Sequence, residues 1–307
     1  MKELAERARD AYGWQGDVVL TAGPRGALGQ IWRVNGTLAL KELFRNPPSE
    51  AAIRAELRFC ALASAAGVRL PQSHPDRAGR YLHETPDGTW LRLYDWIDLS
   101  PVDPAAAATP HDLGALLARL HRCAPRARPD GDTWYEAVPA AERWHAHSER
   151  LGSIEAALPD LCAAVTPADP AGLLVCHRDL HPENVLAGPD GGLVVVDWDL
   201  LGPAAPEREL ARFLFDWCCA GPALDLDAMH TLYTTYIREG GPGRLTGPAD
   251  FTLLLASRLN FLLKQLGIAR DPDADPRHRA WAEREIDESL RMLPTVQQFT
   301  AVLRRLA

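Results

Sequence analysis

The segment Val175-Cys176-His177-Arg178-Asp179-Leu180-His181-Pro182-Glu183-Asn184-Val185-Leu186 constrains the fold of this chain more than any other. It leaves one apolar run, Leu173 to Cys176, and enters another, Asn184 to Ala187, each suited to a short buried strand. Gly188-Pro189-Asp190-Gly191-Gly192 then reads as a turn before a third run, Leu193 to Val196, which ends in Asp197-Trp198-Asp199. A tight turn between the last two strands brings Asn184 beside Asp197, although thirteen residues separate them in sequence. Asp179 falls on the loop just before.

These polar residues have a shared chemistry. H-R-D-L-x-x-x-N is the catalytic-loop pattern of kinases, and Asp197 supplies the second acid at kinase-like spacing. Phosphoryl transfer needs one carboxylate to orient the attacking hydroxyl, and an amide with a second carboxylate to hold Mg²⁺ on the phosphates. Mg²⁺ keeps several waters, so two protein oxygens and the phosphates complete its shell. The residues therefore predict a kinase, with Asp179 as catalytic carboxylate and Asn184 and Asp197 as metal ligands. Loop residues that only satisfied backbone groups would not reproduce this spacing.

The remaining composition is compatible with that prediction. A chain of 307 residues can bury a sizeable core in one or two domains. A net charge of −8 argues against a general nucleic-acid binder. The charged start, Met1 to Arg7, lacks a secretory apolar core. The longest apolar stretch, Leu253 to Leu266, is broken by Arg258, Asn260 and Lys264. Six cysteines without a C-x-x-C pair read as reduced core thiols. A cytoplasmic protein without membrane or nucleic-acid partners is expected, as monomer or homodimer.

The first third reads as a nucleotide lid. Strands are expected at Asp17–Leu20, Gln30–Val34 and Thr37–Phe44, with Asn35-Gly36 as a hairpin turn between the last two. The connection after the first strand carries Gly23, Gly26 and Gly29, which let a backbone approach phosphate oxygens but would equally suit an ordinary hairpin. The third strand carries Lys41, the only lysine between Lys2 and Lys264, where a kinase places its phosphate-binding lysine. A helix begins at Ser49, a suitable N-cap, and Glu56 near its middle is the expected carboxylate partner of Lys41. Pro86-Asp87-Gly88 marks a further hairpin. Tyr94, Asp95, Trp96 and Ile97 then lead into the Pro/Ala-rich stretch Ser100–Pro110, read as a hinge at about 94–100 that holds adenine through backbone groups.

After residue 110 the patterning is mostly helical, with helices expected at 112–121, 207–217, 225–239, 249–268 and 276–292. His121 closes the first of these and reads as a structural histidine. The fold predicted is α+β and bilobal: an N-lobe over residues 1–98, with an antiparallel sheet and one main helix, and a mostly helical C-lobe over 101–307.

The chain resembles the aminoglycoside phosphotransferase and choline kinase-like family, small-molecule kinases with a protein-kinase-like fold. The resemblance rests on Cys176 to Leu186 with Asp197-Trp198-Asp199, which is similar to H-x-D-L-H-P-x-N-V-L…D-W-D. His181-Pro182, and Trp198 in place of the phenylalanine of D-F-G, point to this family rather than to protein kinases, and no A-P-E segment follows. Where the family continues G-D-P-x-x-D-L-A, this chain has Gly202-Pro203-Ala204-Ala205-Pro206-Glu207-Arg208-Glu209-Leu210-Ala211. Glu209 in the place of that aspartate is expected to anchor the metal loop.

The resemblance implies transfer of the γ-phosphate of ATP, or GTP, with Mg²⁺, to a small-molecule hydroxyl. It implies an aminoglycoside or other antibiotic as acceptor, in resistance or self-protection; a choline, homoserine or sugar kinase is the alternative. A non-catalytic nucleotide-binding regulator is the alternative of a different class. Family members often bind polycationic sugars through acidic C-lobe side chains, here Asp216 and Asp271, with Trp217 as a stacking wall. Each acid would equally fit a solvated helix face. Asp199 either supports the metal loop or faces substrate.

Overall fold

The computed structural model describes residues 1–25, 29–130, 132–139 and 141–307. Along the chain, α1 (Lys2–Tyr12), β1 (Leu20–Arg25), β2 (Gly29–Val34), β3 (Leu38–Leu43), α2 (Glu50–Ala65), β4 (Ser73–His74), β5 (His83–Glu84) and β6 (Trp90–Asp95) come first. Then follow α3 (Thr109–Cys123), three short helices α4 (Ala141–His145), α5 (Ser148–Leu151) and α6 (Leu158–Ala163), and β7 (Leu174–Cys176). The hairpin β8 (Val185–Ala187) and β9 (Leu193–Val195) precedes β10 (Gly202–Ala204), α7 (Pro206–Trp217) and the short strands β11 (Cys219–Ala220) and β12 (Ala223–Leu224). The chain ends with α8 (Leu226–Arg238), α9 (Thr252–Arg270), α10 (Pro276–Met292) and α11 (Val296–Leu306).

These elements form two compact units, Met1–Val102 with Glu183–Leu201, and Asp103–Pro182 with Gly202–Ala307. The loop carrying Asn184 and Asp197, which the sequence reading assigned to the C-lobe, packs with the first unit.

In the first unit the antiparallel sheet runs β1-β2-β3-β6-β4, with β5 also on β6. Asn35 and Gly36 both take positive φ, 48° and 78°, in a turn closed by the Thr37 N–H on the Val34 carbonyl at 3.1 Å. With Thr37 they make a three-residue connection, since Val34 pairs with Leu38. The first strand begins at Leu20 rather than Asp17, because Val19 is held from outside the ladder: its N–H reaches the Asn35 side chain at 2.9 Å. Helix α1 was not foreseen. Its Leu4 and Ala8, one turn apart, pack on Val34, Leu40, Leu91 and Leu93 of the sheet. Helix α2 starts as expected, with Ser49 Oγ accepting the Ala52 N–H. The β8–β9 hairpin is tied in by paired bonds between Ser100 and Ala187 and by Val195 N–H on the Arg69 carbonyl at 2.9 Å.

The second unit is mostly helical. Helices α3 and α8 approach so closely that a Cβ on Gly114 would lie 2.4 Å from the Leu232 carbonyl. Phe215, Phe251 and Phe299 form an aromatic knot among α7, the turn before α9, and α11, with Phe251 and Phe299 stacked at 4.2 Å. Helix α11 was missed in the sequence, although its Thr295 and Gln298 form a capping box. The polar breaks in α9 are used: Arg258 pairs with Asp216 at 2.8 Å, and Asn260 donates to the Trp134 and Ala137 carbonyls. Among the described residues no helix is long and apolar enough to cross a membrane.

Candidate active site

In the first unit the site grows from two registers. Val185 pairs with Val195 in the β8–β9 hairpin, and the Val196 N–H reaches the Asn184 carbonyl at 2.9 Å. Asn184 and Asp197 therefore stand side by side where the hairpin strands end. Asp197 takes a left-handed conformation, φ 57°, which turns the chain into Trp198 and Asp199. Trp198 is buried edge-on against Phe59 of α2. In the sheet, Lys41 of β3 lies directly opposite Arg92 of β6, so both side chains leave the same face.

The charges then sort in an order the sequence did not indicate. Lys41 Nζ sits 2.9 Å from Asp197 Oδ1 and 2.6 Å from Asp199 Oδ2. Burial pushes the Lys41 ammonium down, but the two carboxylates outweigh it and hold its pKa above the ordinary value. The expected Lys41–Glu56 pair is not formed. Glu56 instead takes a two-pronged bond from Arg92, at 2.8 and 2.9 Å, and Arg92 also reaches Asp199 Oδ1 at 3.2 Å. The reason is geometric and electrostatic. Arg92 is fully buried, and its planar fork matches a carboxylate, so the buried Glu56 neutralises it. Lys41 keeps one compact charge for the acids at the site's edge. Asp199 thus links Lys41 to Arg92.

The predicted glycine loop is described in part. Gly23 and Pro24 are braced by Gln30, whose side-chain amide donates to both their carbonyls at 2.8 and 3.1 Å. Gly29 lacks a side chain for a reason within the sheet: a Cβ there would lie 2.4 Å from the Glu42 carbonyl. Gly26 lies outside the described residues. At the hinge, Tyr94 packs under the Arg92 guanidinium, with the ring centre at 5.2 Å. Asp95 bonds His74 Nε2 at 2.7 Å, and the Trp96 N–H joins the Thr37 carbonyl at 3.0 Å. Ile97 follows, half-buried.

In the second unit the catalytic loop rests on α7. Arg178 has φ 67°, unusual for a residue with a side chain. Its N–H is captured by Glu209 Oε1, and its carbonyl accepts from Arg212. Glu209 Oε2 meets His121 Nε2 at 2.7 Å, and His121 Nδ1 meets the Tyr236 hydroxyl at 2.7 Å. The Glu209 carboxylate can only accept, so Nε2 carries the hydrogen between them, and the Tyr236 hydroxyl also accepts the Gly243 N–H at 2.9 Å. Burial raises the pKa of Glu209, but His121 and the Arg178 N–H outweigh it, so the carboxyl is held low. Glu209 therefore anchors the loop that carries Asp179, not the metal loop as the sequence suggested. Its neighbour Cys176 lies within 4.8 Å of His121 and Glu209, but burial pushes that thiol well up, so it stays protonated. The trio is a hydrogen-bonded brace.

Asp179 itself has Oδ1 at 2.6 Å from Arg212 Nη2 and Oδ2 at 3.5 Å from His181 Nε2. Burial raises its pKa, but His181, Arg212 and His177 together hold it well below the usual carboxylate range. It is a firmly ionised group, suited to orienting a hydroxyl rather than to taking its proton early.

Of the residues expected to meet an acceptor, Asp199 belongs to the first unit and Asp216, Trp217 and Asp271 to the second. Asp199 is bound to Lys41 and Arg92 in the first unit. Asp216 is held by Arg212 at 3.1 Å and Arg258 at 2.8 Å. Trp217 is buried, and its indole N–H donates to the Leu180 carbonyl at 2.8 Å, so it supports the catalytic loop from within the core. Asp271 is exposed at the end of α9, where it accepts the Asp273 N–H. Sequence reasoning missed Arg92 and Arg212. Arg92 had a signal, a charge between Leu91 and Leu93 in a strand with no polar edge. Arg212 had one too: with Glu209 and Asp216 it makes a charged stripe at helical spacing through the apolar run of the helix.

A sheet unit presenting Lys41, Asn184 and Asp197 and a helical unit presenting an H-x-D loop define a protein-kinase-like phosphotransferase. The pattern of the Phosphotransferase enzyme family matches residues 20–247, and the chain belongs to that family. No curated protein is matched by sequence. Among solved structures, an amicoumacin kinase in complex with AMP-PNP, Ca²⁺ and its antibiotic is similar over 98% of this chain and 96% of its own, at 16% identity and a TM-score of 0.63. A spectinomycin phosphotransferase in complex with ADP and spectinomycin is similar over 99% and 98%, at 14% identity and 0.62. A choline/ethanolamine kinase family protein from Mesorhizobium loti is similar over 100% and 99%, at 19% identity and 0.57. At these identities the likeness establishes the fold.

Proposed function

We propose that this kinase transfers the γ-phosphoryl group of ATP to a hydroxyl of a small molecule, in a Mg²⁺-dependent reaction. The observation that carries this reading is the placement of Lys41 between Asp197 and Asp199. Two cations, Lys41 and Arg92, there face three carboxylates, Glu56, Asp197 and Asp199, and the Asp197 side chain is half exposed. That excess of hard oxygen donors beside the Asn184 amide fits a divalent ion. Asn184 and Asp197 would hold it, and when bound it would offset the charge of the phosphates. Lys41 would then turn to the nucleotide phosphates, with Gly23, Gly29 and the hinge residues Tyr94 to Ile97 around the nucleotide.

Asp179 orients the acceptor. Its carboxylate accepts the hydrogen of the acceptor hydroxyl, the hydroxyl oxygen bonds to the γ-phosphorus, and the bond from that phosphorus to the β–γ bridging oxygen breaks, releasing ADP. The proton leaves through Asp179 to water. Because Asp179 is a weak base, its main work is alignment, which suits a loose phosphoryl-transfer transition state.

For the acceptor, an aminoglycoside or other antibiotic is the first reading, in keeping with the family and with the antibiotic kinases that share the fold. A second reading, a metabolite kinase for an amino alcohol or sugar, is favoured by one observation. Asp216 is already neutralised by two guanidiniums, which leaves it little attraction for a polycation. The deciding experiment is Mg²⁺-dependent ADP release from ATP or GTP against aminoglycosides, other hydroxylated antibiotics, choline, homoserine and sugars. Turnover on one class, lost in Asp179→Asn, would establish the reaction and its acceptor. Nucleotide binding with no turnover on any compound would favour a regulatory protein.

A further inference from the structure

The backbone N–H and carbonyl of Arg178 and the Asp179 carboxylate are all held by one face of one helix. Glu209 and Arg212 are three residues apart on α7, and Asp216 is one turn further, so the three side chains share a stripe. Glu209 binds the Arg178 N–H, and Arg212 binds the Arg178 carbonyl and, through Nη2, Asp179 Oδ1 at 2.6 Å. The same guanidinium is tied at Nε to Asp216 Oδ2 at 3.1 Å, and Asp216 Oδ1 is tied to Arg258 of α9 at 2.8 Å. Arg258 is fixed in turn by the Met292 carbonyl at the end of α10.

We propose that Arg212 is a positioning residue of the transfer: it fixes the Asp179 carboxylate by Oδ1, with Oδ2 turned toward His181, and references it to the Asp216–Arg258 pair. The inference rests on the phosphotransferase reading of Asp179. Its physical basis is the conformation of Arg178. A left-handed residue with a side chain is disfavoured and persists only where its surroundings over-determine it. Here a carboxylate and a guanidinium from α7 hold both sides of that residue, and the guanidinium extends the clamp to the next side chain. A planar fork does this where a lysine cannot, since it addresses Asp179, the Arg178 carbonyl and Asp216 in fixed mutual directions. A simple brace between loop and helix would need the carbonyl contact alone.

The test uses the full chain with Mg²⁺ and ATP, water serving as acceptor, and reads kcat and the KM for ATP from ADP release. Arg212→Gln should lower kcat by about 10²-fold, the cost of a small misplacement of a reacting group, while the KM for ATP stays within about threefold of wild type. Arg212→Lys should recover only part of the loss, and added guanidinium should raise kcat of Arg212→Ala toward wild type. If kcat of Arg212→Gln stays within about threefold of wild type while Asp179→Asn is inactive, the positioning role is overturned. If Asp179→Asn keeps its activity, it is the phosphotransferase reading of Asp179 that fails. Should Arg212→Gln melt out, Asp216→Asn replaces it. That change loosens the far anchor of the guanidinium and should lower kcat several-fold with the KM for ATP unchanged, and an unchanged kcat would overturn the proposal.

Discussion

The two units handle charge differently. Around Lys41, two cations face three carboxylates, and Asp197 and Asp199 remain partly open to solvent. Around Asp179, two carboxylates, Asp179 and Asp216, share two guanidiniums, Arg212 and Arg258, and none of the four side chains is more than 21% exposed. In the function proposed above, the ammonium of the first arrangement is the counter-ion that phosphates and a divalent ion would replace. The second is balanced in itself and fixes a direction. On that reading one arrangement changes partners during turnover, and the other keeps them.

The sharpest way to break this comparison is at Asp179. Asp179→Asn should lower kcat for ADP release by about 10²–10⁴-fold. A variant that retains activity would mean that the balanced half is only a structural brace. Glu56→Ala comes next. It removes the two-pronged partner of the buried Arg92 and leaves it only Asp199 at 3.2 Å, which should cost about 3 kcal/mol in urea unfolding, whereas Lys41→Met should cost about 1 kcal/mol or less. Equal losses would mean that Lys41 and Arg92 are not divided as the structure shows.

A smaller effect tests exchangeability. Mg²⁺ with a non-hydrolysable ATP analogue at about a hundred times its Kd should stabilise the wild type by about 2.7 kcal/mol. That gain should shrink on EDTA addition and in Asp197→Asn, read by thermal melting. The smallest effect is in acid. The folded pKa of Asp179 lies below its unfolded value of about 3.9, so its pairing contributes stability in full above that value and loses it as pH falls through the folded pKa. Melting temperatures of wild type and Asp179→Asn should therefore converge as pH is lowered from 5 toward 2, with Glu209, held low in the same way, supplying the acid loss that remains in both.

Much of this protein was legible locally. The β8–β9 hairpin, the Asn35-Gly36 turn, the Ser49 cap and most helices follow from apolar runs, turn residues and capping within a few residues of one another. Helices α1 and α11 escaped because their buried sides are narrow: Leu4, Ala8 and Ala11 in one, Phe299 and Val302 in the other, amid charged or polar neighbours.

By itself, then, the sequence determined which residues could do phosphoryl-transfer chemistry and placed Asn184 beside Asp197, because a short hairpin leaves little freedom in register. Only the tertiary structure decided which charges meet. Lys41 lies 156 residues from Asp197, Arg92 lies 36 from Glu56, and Arg212 lies 33 from Asp179. Over such separations any acid can be matched on paper with any base. The choice falls to burial and side-chain shape: the buried, forked Arg92 claims the buried Glu56, Lys41 is left to Asp197 and Asp199, and one face of α7 holds the Asp179 carboxylate.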